Sequence, residues 1–148
     1  VDRSEEMLTV AAEKAMELEE NQPFFVAQPM QRLRIPEPVD ACVCALDSIN
    51  YVTKPQDVQK AFRRVYESLR PGGHFVTETF TRANRELWGR PSRSAHFLEE
   101  GELLHLTPEG ARIIAFESGE TSRGLAVERI VWQKPGPCMR LVEPLGAS

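Results

Sequence analysis

The chain has 148 residues, about the length of one domain. Apolar types make up 41% and charged types 27%, which places it among globular sequences and sets disorder aside. Lys plus Arg number 18 against 22 for Asp plus Glu, a net charge of −4; that acidic balance opposes a general nucleic-acid binder, which needs a basic face. The apolar runs are too short to span a bilayer, and no charged-then-apolar leader opens the chain, so no membrane partner is expected. Three cysteines are an odd count, and Cys42 and Cys44 are separated only by Val43. Such a poor disulfide framework predicts a reducing, cytoplasmic setting.

Ser4-Glu5-Glu6 reads as a helix start, with a hydroxyl to cap free amides and two acids at the positive end of the dipole. Leu8, Ala11, Ala15 and Leu18 recur at helical spacing, which predicts a helix over about 4–20. Phe24 to Ala27 is a short apolar run after the break at Asn21 to Pro23 and predicts a buried strand. Three prolines make 28–39 mostly loop. Ala41 to Leu46 is apolar on both faces, the pattern of a parallel strand covered on both sides. Asp47-Ser48-Ile49-Asn50-Tyr51 is then a polar turn at its carboxyl end. Pro55 suits a first helical turn, and Val58, Ala61, Phe62, Val65, Tyr66 and Leu69 form one stripe over about 55–69. Arg70-Pro71-Gly72-Gly73 ends that helix, and His74 to Phe80 predicts a strand.

Beyond residue 80 the pattern is less regular. A short helix and an exposed loop are expected over 81–97, a second short helix over 99–106, and two strands at 111–118 and 126–133 joined by a long hairpin connection. The prolines and glycines of 135–148 predict a flexible tail after a domain at 1–134. Alternating helices and strands followed by a terminal hairpin give an α/β fold with a mostly parallel sheet. Ligands of such sheets bind at the carboxyl ends of the strands, which puts Asp2, Gln28 to Met30 and Asp47 to Tyr51 on one rim.

Val1 to Leu8, Asp40 to Tyr51 and Leu69 to Gly73 stand in the order and spacing of a known family. Together they resemble the class I S-adenosylmethionine-dependent methyltransferases over about residues 1–80. The resemblance implies a Rossmann-like methyltransferase sheet and S-adenosylmethionine as cofactor. It implies that Asp2 accepts from the ribose hydroxyls, that Met7 lies beside the adenine, and that Gln28 and Met30 sit where the third strand of the family meets the adenine. Pro29 supplies neither carboxylate nor backbone donor there. Leu46 and Asp47 would meet the cofactor's methionine end, with Asn50 and Tyr51 toward the methyl acceptor. Glu78 to Phe80, Gly89 to Pro91 and Arg129 to Pro135 look similar to small bacterial methyltransferases of the tellurite-resistance type.

The family's first strand ends in a glycine-rich turn, and no such motif is present. Gly72-Gly73 follow a helix and precede a strand, the reverse of a cofactor cradle. The sequence therefore predicts an amino-terminally truncated methyltransferase domain, opening at Val1 in mid-motif. Two functions follow. One is methyl transfer to a small molecule by the parent protein, with this chain itself weak or inactive. The other is a non-catalytic methyltransferase-like module that associates with itself or with a partner protein through exposed strand edges. Of the three histidines, His96 is the best substrate-facing candidate because its loop can cover the rim. Cys42 and Cys44 have no second pair at metal-ligand spacing, and no metal is expected.

Overall fold

A computed structural model describes residues 1–85 and 97–137. Its helices are α1 (Glu5–Ala15), α2 (Pro55–Ser68) and α3 (Glu102–His105); its strands are β1 (Val39–Cys44), β2 (Leu69–Phe80), β3 (Arg112–Glu120) and β4 (Ala126–Gln133). Single 3-10 turns stand at Met30–Arg32, Ser48–Tyr51 and Arg82–Arg85. The sheet order is β1-β2-β4-β3, with β1 and β2 parallel and the other neighbours antiparallel. This is an α/β fold with a mixed sheet rather than a mostly parallel one. The difference arises because the β3–β4 hairpin lays its second strand against β2, so the hairpin decides two of the three pairings.

α2 follows its sequence closely. Pro55 occupies the first turn, and Val58, Ala61, Phe62 and Val65 are buried on one face. That face meets Phe75 of β2 and Trp132 of β4. Phe62 and Phe75 pack edge-on at 5.3 Å, and Trp132 lies 4.9 Å from Phe75 and 5.9 Å from Tyr66. Leu98, Leu103 and Leu106 close the same core from around α3.

Three expectations change. α1 has the expected cap, with Ser4 Oγ accepting from the Met7 N–H at 3.2 Å, but it ends at Ala15. Only Ala15 is buried on it, so the apolar stripe finds little to pack on, and Glu17, Glu19 and Glu20 oppose the negative end of the dipole. Phe24 is 78% exposed, and the run to Ala27 forms one parallel bridge, Asp2 to Ala27, instead of a buried strand. β1 is half-covered, with Val43 67% exposed, whereas Cys42 and Cys44 pack toward the core.

Gly72-Gly73 lie within β2, not ahead of it. The pairing with β1 jumps from Val39–Leu69 to Ala41–His74, and the intervening Arg70 to Gly73 bulge out. A Cβ at Gly73 would stand 2.9 Å from the Arg70 carbonyl and 3.0 Å from that of Asp40, so only glycine fits that approach. The carboxyl ends of β1 and β2 share one edge with the start of β4. There the chain forms its rim.

Candidate functional site

The rim begins where β1 ends. Leu46 and Asp47 both adopt φ of +54°, a left-handed pair that side chains with a Cβ disfavour by about 1–2 kcal/mol each. Neighbours hold the pair in place: the Leu46 N–H donates to Glu78 Oε1 at 3.3 Å, and the Asp47 carbonyl accepts from the Asn50 N–H at 2.8 Å. Burial and the nearby Glu78 carboxylate raise the Asp47 carboxyl above its ordinary range.

Asn50 is the buried centre of this edge. Its Nδ2 donates to the Phe80 carbonyl at 3.0 Å, while its Oδ1 accepts from the Phe80 N–H at 2.9 Å and from Thr79 Oγ1 at 3.0 Å. The side chain thus ties the turn after β1 to the end of β2. Tyr51, one residue on, is half-exposed at the rim.

The amino-terminal segment joins this rim through backbone bonds. The Asp2 N–H donates to the Val26 carbonyl at 3.2 Å, and the Gln28 N–H to the Asp2 carbonyl at 2.8 Å. Between these segments and the start of α2 lies a cavity of about 450 Å³, within the range of small-molecule sites. Asp2, Gln28, Met30 and Tyr51 line it, as do Arg3, Gln31, Ser48 and Lys54. Asp2 Oδ1 accepts from the Ser4 N–H at 2.9 Å; Oδ2 has no hydrogen bond among the described residues. Its carboxylate can therefore hold the backbone of the capping residue Ser4 and still accept from a ligand.

Met7, Leu46, Asp47 and Asn50 do not line the cavity. Met7 is 63% and Leu46 79% exposed. The Gln28 side chain is engaged elsewhere, since its Oε1 accepts from the Arg34 N–H at 3.0 Å and its Nε2 donates to the Arg34 carbonyl at 2.9 Å. His96 lies outside the described residues. The Cys42 thiol is pushed up to about 11, chiefly by burial, and Cys44 is raised for the same first reason, so neither is a ready nucleophile.

Sequence reasoning missed Glu128. It shares its strand face with Ile130 and Trp132, and this period-2 signal marked it as inward-pointing. It is fully buried; Oε1 accepts from the Gly101 N–H at 2.6 Å, and Oε2 has no partner among the described residues. Burial raises its carboxyl above 4.5, the Gly101 bond opposes that, and Glu100 and Glu102 add to the rise. A folded value above the unfolded one means that stability is fully present below the unfolded value. It is lost as pH rises through the folded one. Glu128→Gln, which keeps the acceptor for Gly101, is therefore expected to unfold at higher urea than wild type at neutral pH. Below about pH 4 the two midpoints should converge; a constant gap across pH would refute the assignment.

Comparison with known proteins bears on the fold. The fold is that of the class I S-adenosylmethionine-dependent methyltransferases. Residues 1–73 match the family model described as a methyltransferase domain, a stretch that contains every residue lining the cavity. A methyltransferase of this type from Clostridium acetobutylicum superimposes with a TM-score of 0.74 at 18% identity, over 90% of this chain and 73% of that one. One from Methanosarcina mazei gives 0.73 at 19% identity, over 91% and 80%. The N-methyltransferase NodS from Bradyrhizobium japonicum WM9, solved with S-adenosyl-L-homocysteine, gives 0.71 at 16% identity over 90% of this chain; the chain spans 64% of its length. No curated protein sequence matches the chain. The cofactor named for the Clostridium and Methanosarcina neighbours is S-adenosylmethionine. The residues present fit its nucleoside half, because the cavity combines a carboxylate able to accept from vicinal hydroxyls with Met30 and Tyr51 as flat or apolar flanks.

Proposed function

We propose that the protein binds S-adenosylmethionine in the cavity beside Asp2 and takes part in transfer of its methyl group to a small molecule at the Asp47–Tyr51 rim. One observation carries this reading: Asp2, Gln28 to Gln31, Ser48 and Tyr51 to Lys54, distant in sequence, converge on one cavity. Bound there, the cofactor supplies a methyl carbon on a sulfonium, a good leaving group. The chain then has to bind, align and exclude water, and proximity supplies much of the rate. Asp2 holds the ribose hydroxyls. Met30 flanks the adenine; Met7, Leu46 and Asp47, which do not line the cavity, would meet only parts of the cofactor that extend past its edge. Tyr51 faces the acceptor. Asn50 serves the same edge through its bonds to Phe80, which fix the turn that carries Tyr51. The acceptor side resembles the small bacterial tellurite-resistance type, which suits a soft acceptor that needs no general base and a cytoplasmic setting.

No strand–glycine turn–helix unit occurs among the described residues, so slow turnover is expected of these 148 residues alone. Calorimetric titration with S-adenosylhomocysteine tests the reading. Saturable heat that weakens at least tenfold in Asp2→Ala is expected, in line with loss of hydrogen bonds to a charged group. No heat in wild type, or equal affinity in the variant, would overturn it.

A second reading rests on β1, which among the described residues pairs only with β2 and leaves its other edge to solvent. Such an edge can pair with a second copy, giving a non-catalytic module that self-associates. Sedimentation that speeds up with concentration and no heat with S-adenosylhomocysteine would favour it; a monomer that binds the ligand would exclude it.

A further inference from the structure

We infer that Gln28 is a positioning residue of the cavity: its side-chain amide holds residues 29–34 as a fixed wall and thereby sets the place of Met30. The ligand in this inference rests on the reading of the cavity as a nucleoside site. The wall itself does not.

The segment leaves the bridge at Ala27, carries Pro29 to Gln31 past the cavity and returns to the core at Leu33. It contains one short 3-10 turn, with the Arg32 N–H donating to the Pro29 carbonyl at 2.9 Å and the Leu33 N–H to that of Met30 at 3.1 Å. The turn rests on α2, with Met30 and Leu33 packed on the core, but no bond within so short a turn ties its two ends together. Gln28 does, because its amide bonds both the N–H and the carbonyl of Arg34, closing the segment into a ring in the way two peptide groups pair across strands. Its backbone N–H meanwhile holds the Asp2 carbonyl at 2.8 Å. One residue therefore couples the acid on one side of the cavity to the Met30 wall on the other. Leu33 is buried beneath the wall and holds its base, so loss of the clamp frees the wall without unfolding the core.

The test compares wild type with Gln28→Ala and Gln28→Glu by amide hydrogen exchange at Arg34, affinity for S-adenosylhomocysteine and urea midpoint. In Gln28→Ala the Arg34 amide is expected to exchange about tenfold faster and affinity to fall by a similar factor, the usual scale of one or two hydrogen bonds. The urea midpoint should stay put. Gln28→Glu keeps an acceptor for the Arg34 N–H but turns an oxygen toward its carbonyl, so both effects should be intermediate. Unchanged Arg34 exchange in Gln28→Ala would overturn the clamp. Faster exchange with unchanged affinity would overturn its positioning role, and a lowered midpoint matching the lost affinity would make the role merely structural. If wild type takes up no S-adenosylhomocysteine, the reading of the cavity fails instead, and exchange at Arg34 still decides whether Gln28 holds the wall.

Discussion

Trp132→Ala is expected to lower folding stability by about 3–5 kcal/mol, read as a fall in the urea midpoint at unchanged slope. Trp132 is fully buried where β4 meets α2 and β2, touching both Phe75 and Tyr66. Truncation removes the largest side chain of the core and opens a void among residues fixed on three separate elements, which cannot all close inward. Domains are stable by only about 5–15 kcal/mol, so a large share of the total is at stake. Trp132→Phe retains most of the apolar volume and removes an indole N–H that has no partner among the described residues, so it should restore much of the loss. A drop below about 1 kcal/mol in the alanine variant would contradict the packing described.

Asn50→Ala should cost about 2–4 kcal/mol and also distort the rim. The substitution takes one partner each from the Phe80 N–H, the Phe80 carbonyl and the Thr79 hydroxyl, and Thr79 Oγ1 still reaches the Phe80 carbonyl at 3.3 Å; a buried group left unsatisfied costs about 1–3 kcal/mol, and relaxation recovers part. Because Asn50 joins the turn after β1 to the end of β2, the effect reaches Tyr51 and Ser48 at the cavity. Affinity for S-adenosylhomocysteine should therefore fall in the fraction that stays folded. Asn50→Asp preserves an acceptor yet loses the donor to Phe80, and it should also destabilise. Wild-type stability in Asn50→Ala would mean that the turn is held by other groups.

The reach of the sequence differs from element to element. α2 was legible to its first residue because a helical stripe, a proline at its start and a core to face all agree. The β3–β4 hairpin was legible from apolar alternation around a turn. α1 was overextended, since periodicity tells where a helix can pack and not whether a surface is there to receive it. Phe24 to Ala27 failed likewise: apolar runs signal burial only when a partner layer exists. At the site, the sequence grouped Asp2, Met7, Gln28, Met30, Leu46, Asp47, Asn50, Tyr51 and His96; the fold brings Asp2, Gln28, Met30 and Tyr51 to one cavity and leaves Met7, Leu46, Asp47 and Asn50 outside its lining. Their separate tasks were not legible. The role of Gln28 depends on the backbone of Arg34, six residues on, and that of Asn50 on Phe80, thirty residues on. Such long-range bonds leave no local trace in composition or spacing. Glu128 did leave one, in its parity with Ile130 and Trp132.

The most direct measurement is amide chemical-shift mapping of isotope-labelled protein titrated with S-adenosylhomocysteine. Shifts at Asp2, Arg3, Gln31, Ser48 and Tyr51, saturating together, are the predicted result. Shifts confined to the other large hollow, between Arg63 of α2 and His105 to Glu109, would contradict the account, as would a spectrum that does not move.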